Sequence, residues 1–162
     1  MIRFKKIKKN SDDKIHLQYE KPNRNGGWDE YSMKSGEEPK PSFERALDNL
    51  IPHVEEMCEL PYKDHQVHPY TIRGVSFSYG GDNDTMGATI TAERSLTSSN
   101  SPLILNTPHK IEDPYAEGAD DTQVMTTDCL LDLQTLMDEA EDFLDGERAQ
   151  MDMFNEEEEA TV

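Results

Sequence analysis

The sequence predicts an α+β fold: a mostly antiparallel sheet in the order βββαββ, packed by two helices, with an acidic loop and a C-terminal tail. Three observations support this fold. Apolar and polar residues alternate over residues 14–20, apolar residues recur at helical spacing over 43–58, and a glycine-rich turn joins two strand-like segments at 80–84. An alternating segment predicts a half-buried strand, and helical spacing predicts one helix face against the sheet.

The first 35 residues are typical of an antiparallel meander with one wet face. Residues 2–7 predict the first strand. In the second, Ile15, Leu17 and Tyr19 point to one face, and the residues between them point to the other. A connection over 22–27, rich in residues that tolerate positive φ, leads to a third strand at 28–33.

A helix follows, with Ser42 as its expected N-cap. Its apolar positions form one face over about four turns. They are Phe43, Ala46, Leu47, Leu50, Ile51, Val54, Met57 and Cys58. Pro52 interrupts this face, and we expect a kink there because proline lacks the N–H that the helix needs.

Residues 70–79 and 86–96 predict a second hairpin. In its first strand, Ile72 and the later apolar residues Val75 and Phe77 share a face only if the register slips by one residue. The sequence therefore predicts a β-bulge at Gly74.

Residues 97–126 are predicted to be irregular, with a short buried strand at 102–105 and a mobile acidic loop after Lys110. The last helix should begin at Thr127 or Asp128 and end before Gly146, a typical C′ residue. Its predicted apolar stripe consists of Leu130, Leu133, Met137, Ala140 and Leu144, with Leu136 and Phe143 beside it.

The 162 residues suffice for one domain, predicted over 1–146, and an acidic tail over 147–162. The net charge of −18 is uneven: residues 1–40 carry ten Lys or Arg against seven Asp or Glu, whereas residues 121–162 carry one against fourteen. This balance disfavours wholesale wrapping by nucleic acid. The N-terminal residues resemble no secretion signal, and no apolar run approaches the ~20 residues of a membrane span, so we expect a cytoplasmic protein without a membrane contact.

A short apolar peptide near the C-terminus, Gln150-Met151-Asp152-Met153-Phe154, is flanked by the acidic run 156–159. Exposed apolar clusters of this kind mark partner sites. The peptide resembles the motif by which bacterial polymerases and repair proteins bind the replication sliding clamp. The resemblance implies that Gln150 hydrogen-bonds beside the clamp pocket and that Met153 and Phe154 fill it. The alternatives are another peptide-in-groove contact and a staple that folds back onto the domain.

A second resemblance rests on five segments spread along the chain. They are Gly74-Val75-Ser76-Phe77-Ser78-Tyr79, Met86-Gly87-Ala88, Ser99-Asn100-Ser101-Pro102-Leu103, Asn106-Thr107-Pro108-His109 and Gly146-Glu147-Arg148-Ala149-Gln150. With these segments the chain resembles small bacterial prophage-encoded proteins of uncharacterised function, often encoded within replication and recombination gene blocks. This resemblance favours a role in DNA metabolism or host takeover.

Two charged surfaces are candidate interaction sites. Basic residues interleaved with aromatics in the N-terminal sheet suit single strands, and the candidates are Lys5, Lys8, Lys14, Trp28 and Tyr31. Alternatively, these lysines protect a sheet edge and the aromatics lie in the core. The last helix carries acids that either imitate the phosphates of DNA or form a solvated face. They are Asp128, Asp132, Asp138, Glu139, Glu141, Asp142 and Asp145.

Motifs of catalysis and metal binding are not evident, so we predict a protein without cofactor, metal or enzymatic activity. The spacing of Cys58, His65 and His68 matches no common zinc pattern, and Asp82 with Asp84 is too short a set for a calcium loop. No phosphate-binding glycine loop, nucleophile elbow or evident His–Ser or His–Cys pairing is present.

The sequence thus favours a phage-type accessory protein whose partner is a host protein, either the replication clamp or a DNA-binding protein. The alternative function is an acidic DNA mimic that inhibits a host nuclease or defence system, of the anti-restriction or anti-CRISPR type. A single-stranded-DNA-binding accessory is the third.

Overall fold

A computed structural model describes residues 1–60, 69–81, 83–112 and 120–150. In these ranges, seven strands form one sheet in which every strand pairing is antiparallel, and the helices pack on one of its faces. The α+β prediction is therefore confirmed. The strands are β1 (Arg3–Lys9), β2 (Ile15–Pro22), β3 (Trp28–Ser35), β4 (Tyr70–Gly80), β5 (Thr85–Arg94), β6 (Leu103–Asn106) and β7 (Lys110–Ile111). The helices are α1 (Pro41–Asp48), α2 (Ile51–Met57) and α3 (Thr127–Leu144), with a 3-10 turn at Asp121–Gln123.

The sheet has the order β3-β2-β1-β4-β5-β6, and β7 also pairs with β5. The predicted alternation of β2 is confirmed, because Ile15 and Leu17 are fully buried under the helices whereas His16 and Gln18 are only half-buried on the other face. Directly paired residues share a face, so the strand registers assign every neighbouring side chain to the covered or the uncovered side.

The predicted bulge at Gly74 is confirmed. The β4–β5 register shifts between Ile72 and Gly74, so that Arg73 is the extra residue. A Cβ at Gly74 would lie 2.6 Å from the carbonyl oxygen of Ile7 on β1. Glycine is therefore required here by the close approach of the two backbones, as well as by the shift in register.

Pro52 divides the first predicted helix into two short ones. α1 ends at Asp48 and α2 begins at Ile51, which places Pro52 in the first turn, where its missing N–H costs no hydrogen bond. The prediction that Ser42 is the N-cap is wrong, because α1 begins one residue earlier at Pro41 and its cap is Lys40. Ser42 instead donates a hydrogen bond from Oγ to Glu139 of α3 at 2.8 Å.

α3 begins at Thr127 as expected, with the Thr126 hydroxyl accepting from the N–H of Cys129. Its buried stripe differs from the predicted one and consists of Cys129, Leu133, Leu136, Ala140 and Phe143. The predicted members Leu130, Met137 and Leu144 are only half-buried at its margin. Both stripes have helical spacing, and leucines flank the contact on either side, so the pattern alone does not fix the helix rotation.

The predicted strand at 102–105 exists as β6, but the expectation that it is buried is wrong. Leu103 is 44% and Ile104 60% exposed, because β6 lies at the sheet edge. β7 and the 3-10 turn also lie within the range predicted to be irregular. Of the acidic loop expected after Lys110, residues 113–119 lie outside the described residues.

Candidate interaction surfaces

The segment after α3 is attached to the segment before α1. The Ala149 N–H donates to the carbonyl oxygen of Glu38 at 3.0 Å, and the Lys40 ammonium lies 3.1 Å from the Glu147 carboxylate. The Arg148 guanidinium stacks over the ring of Phe143 at 3.5 Å and lies 3.6 Å from the Glu37 carboxylate. These contacts hold the chain against the body as far as Ala149.

Gln150, the first residue of the predicted docking peptide, directly follows this attachment and is exposed. Met151, Asp152, Met153 and Phe154 lie outside the described residues. The last described contact with the body therefore directly precedes the motif.

The sheet face opposite the helices carries two cross-strand rows of polar side chains, which we call the open-face rows. The strand registers place the members of each row side by side. One row is Ser32, Gln18, Lys6, Ser76 and Thr89; the other is Lys34, His16, Lys8, Gly74, Thr91 and Asn106. The second row crosses six strands, or about 24 Å at the usual strand spacing. Neither row contains a carboxylate.

The lysines of the open-face rows create a local positive field around His16. Burial, and then the charges of Lys34, Lys8 and Lys6, hold the pKa of His16 below its ordinary value. His16 Nε2 lies 3.1 Å from the Ser32 hydroxyl in the adjacent row. Within the described part of the chain, none of the three lysine ammonium groups forms an ion pair.

The five predicted nucleic-acid residues do not share one surface. Lys8 and Trp28 lie on the open side by register, and Lys5 joins them there through its ion pair with Glu20 at 3.5 Å. The Trp28 ring is covered by the Arg3 guanidinium at 3.9 Å. Lys14 is exposed just before β2.

Tyr31 lies on the helix side, because its register places it beside Tyr19, which pairs with the core residue Phe4. The two tyrosine rings stack at 5.4 Å, and Tyr31 is 44% exposed. The alternative that the aromatics belong to the core is therefore wrong for Tyr31. The nucleic-acid candidates therefore lose Tyr31, which lies on the face opposite Lys8, whereas Trp28 stays on the same side as Lys8 with its ring covered by Arg3.

Three of the seven candidate acids on α3 have partners within the protein. Asp132 lies 2.6 Å from Nε2 of the buried His53, Glu139 accepts from Ser42, and Asp142 lies 3.8 Å from the Lys40 ammonium. Asp128, Asp138, Glu141 and Asp145 are exposed. The acids therefore form both a contact surface towards α1 and α2 and a solvent-facing set of four.

A cleft of about 340 Å³ lies beside α2 and the start of α3, and its lining includes His53, Glu56, Lys110, Met125 and Cys129. Burial raises the pKa of Cys129 to about 11, with Asp132 and Glu56 adding to the shift. At neutral pH this residue is therefore a protonated thiol, which is a weak nucleophile.

A third histidine, His109, contacts a hydroxyl on the open side of the sheet, and this contact was not evident from the sequence. Nε2 of His109 lies 2.8 Å from the Ser78 hydroxyl, and both side chains are exposed. Within the described residues, no carboxylate contacts His109 to orient it as a general base. The same residues contain no group of three or more His, Cys, Asp or Glu placed to hold a metal ion; His65 and His68 lie outside them.

Comparisons with protein-family models, with curated proteins and with solved structures give no match to the chain. Among the helices that the structure describes, none has the length and apolar character needed to cross a membrane.

Proposed function

We propose that this protein is a phage-type accessory protein without enzymatic activity that docks through Gln150–Phe154 on the bacterial replication sliding clamp. The observation that supports the proposal is the position of the motif. The body holds the chain through Ala149, and the motif begins at the exposed Gln150 directly after that contact.

A short peptide attached to a folded body suits recognition in a groove. Two apolar side chains, Met153 and Phe154, would supply most of the binding free energy, because buried anchors dominate such interfaces. Methionine at two positions fits because its flexible side chain fills irregular pockets. Docking would affect DNA replication, either by recruiting the domain to DNA or by competing with host proteins for the clamp.

The test measures binding of the full chain to purified bacterial sliding clamp by calorimetry. Truncating an anchor residue commonly costs about 2 kcal/mol or more, so Gln150→Ala/Phe154→Ala should weaken binding at least about 30-fold. The control is Asn155→Ala, next to the motif, which should bind like wild type. Absence of clamp binding by the wild-type chain, or equal binding by the double variant, would disprove the proposal.

An acidic DNA mimic is the second candidate function, favoured by the four solvent-facing acids of α3 and the net charge of −18. Its partner would be a host nuclease, a defence complex or another DNA-binding protein. Such a contact should weaken steeply between low salt and about 0.5 M salt, whereas an apolar pocket contact should not. Inhibition of a DNA-binding enzyme that is lost in Asp128→Asn/Asp138→Asn/Glu141→Gln/Asp145→Asn, but kept in Gln150→Ala/Phe154→Ala, would favour the mimic.

A further inference from the structure

The open-face rows are positively charged, whereas the protein as a whole is negatively charged. The chain has a net charge of −18, and yet Lys6, Lys8 and Lys34 lie together on one sheet face without a carboxylate in either row. Two other cations near this face have acidic partners: Lys5 lies 3.5 Å from Glu20, and Arg73 pairs with Glu93. Among the residues that the structure describes, these three ammonium groups have no acidic partner, so an anionic ligand would compensate their charge.

The rows also present hydrogen-bonding groups around the lysines. His16 lies between Lys34 and Lys8 in the longer row, and Thr91 and Asn106 end it. The Thr91 hydroxyl donates to the Asn106 side-chain oxygen at 2.7 Å, which leaves the Asn106 amide N–H groups directed elsewhere. Lysine, hydroxyl and amide groups are those that contact phosphate and sugar oxygens in nucleic-acid complexes. The face therefore matches a chain of phosphates in both charge and hydrogen bonding.

The shape of the face suits single-stranded DNA better than duplex DNA. The major groove of B-DNA is about 12 Å wide and admits a helix or a two-stranded ribbon, whereas the longer row crosses six strands of a continuous sheet. A flexible single strand can lie across such a face and place successive phosphates on the lysines. We propose that the open-face rows bind the phosphate backbone of single-stranded DNA, with Lys6, Lys8 and Lys34 as the phosphate contacts.

This binding has two properties that follow from the composition of the rows. Neither row contains Phe, Tyr or Trp, so base stacking contributes little and oligonucleotides of different sequence bind alike. Each phosphate contact on a single strand contributes about 0.7 to the slope of log affinity against log salt. Three lysine contacts therefore give a slope of about −2.

The test uses fluorescence anisotropy of a labelled 20-nucleotide oligo(dT) with the full chain at about 0.05 M salt. Lys6→Gln/Lys8→Gln/Lys34→Gln should weaken binding at least about tenfold and remove most of the salt slope. The matched control is Lys21→Gln/Arg45→Gln/Arg94→Gln, which removes the same charge from the opposite side of the sheet or from α1. The control variant should bind like wild type, and thermal melting checks that both variants fold.

Three results would overturn the proposal: no binding by the wild-type chain, equal losses in both triple variants, or equal binding of single-stranded and duplex DNA. Equal losses would mean that net charge alone governs the contact. The proposal is independent of clamp docking, since Gln150→Ala/Phe154→Ala should retain oligo(dT) binding, and the open-face triple variant should retain clamp binding. Failure of one proposal is therefore distinguishable from failure of the other.

Discussion

At the scale of single residues, His16 reports on the field of the open face. Its pKa lies below the ordinary value of 6.5, first because of burial and then because of Lys34, Lys8 and Lys6. As the pH falls through 6.5, the unfolded chain therefore takes up this proton before the folded one. The contribution of His16 to the free energy of unfolding is present above about pH 6.5 and is lost as the pH falls below it.

NMR titration of the His16 ring tests this field directly. The measured pKa should lie below 6.5, and Lys34→Gln should raise it, because one repelling charge is removed. Lys21→Gln, on the other side of the sheet, is the matched control and should leave the pKa unchanged. A His16 pKa at or above 6.5, or the same pKa in wild type and Lys34→Gln, would contradict the assignment of the open face as positive.

The sequence predicts single positions well where one local rule decides them. The alternation of β2 places Ile15 and His16 on opposite faces, as the structure has them. The sequence could not decide the face of Tyr31, because β3 has no clear alternation of apolar and polar residues. Tyr31 lies on the helix side of the sheet and is nevertheless 44% exposed. The grouping of Lys6, Lys8 and Lys34 on one face was also beyond prediction, since cross-strand neighbours depend on register.

At the scale of elements, the bulge in β4 requires glycine at position 74 because the backbones of β4 and β1 approach closely there. Gly74→Ala should destabilise the protein by about 1–3 kcal/mol, because its Cβ would press on the Ile7 carbonyl 2.6 Å away. Gly36→Ala is the matched control: its Cβ meets nothing within 4 Å, and its φ is not positive. Alanine at position 36 should therefore leave the free energy of unfolding unchanged or raise it by a few tenths of a kcal/mol.

Urea unfolding of the two alanine variants measures this difference. A Gly74→Ala variant as stable as wild type would mean that β1 and β4 separate readily and that their close approach is not needed for the fold. A Gly36→Ala variant that loses as much as Gly74→Ala would mean that the loss is not specific to the contact between the two strands.

The elements with long periodic patterns were predicted more accurately than the short ones. The β4–β5 hairpin and α3 have long patterns and clear turn or cap residues, and both lie where the sequence places them. β7 has only the two residues Lys110 and Ile111, too few for any pattern, and it exists because β5 extends beyond the end of β6. The rotation of α3 depends on packing against α1, which a single stripe of leucines does not determine.

At the scale of the whole molecule, charge is divided between the two sides of the sheet. The α3 acids lie on the helix side, where three of them contact Ser42 of α1, His53 of α2 and Lys40, the N-cap of α1. The lysines of the open-face rows, which form no ion pair with the described residues, lie on the other side. Segment charges anticipate a basic N-terminal third, but only the fold places Lys6, Lys8 and Lys34 of that third on one surface. The docking motif stays a prediction, because Met151–Phe154 lie outside the described residues. The contact of Ala149 with Glu38 could not be predicted from the sequence, because it joins residues far apart in the chain.

The net charge of −18 should limit the stability of the whole protein through self-repulsion. Sodium chloride raised from about 0.01 to 0.5 M shortens the screening length several-fold, so the melting temperature should rise. Each kcal/mol of relieved repulsion corresponds to about 2–4 °C for a chain of this size. Potassium chloride is the control and should act like sodium chloride, because screening depends on ionic strength and not on the cation. A melting temperature that falls with both salts would mean that attractive ion pairs, such as those of Arg73 and Lys40, outweigh the repulsion among the acids.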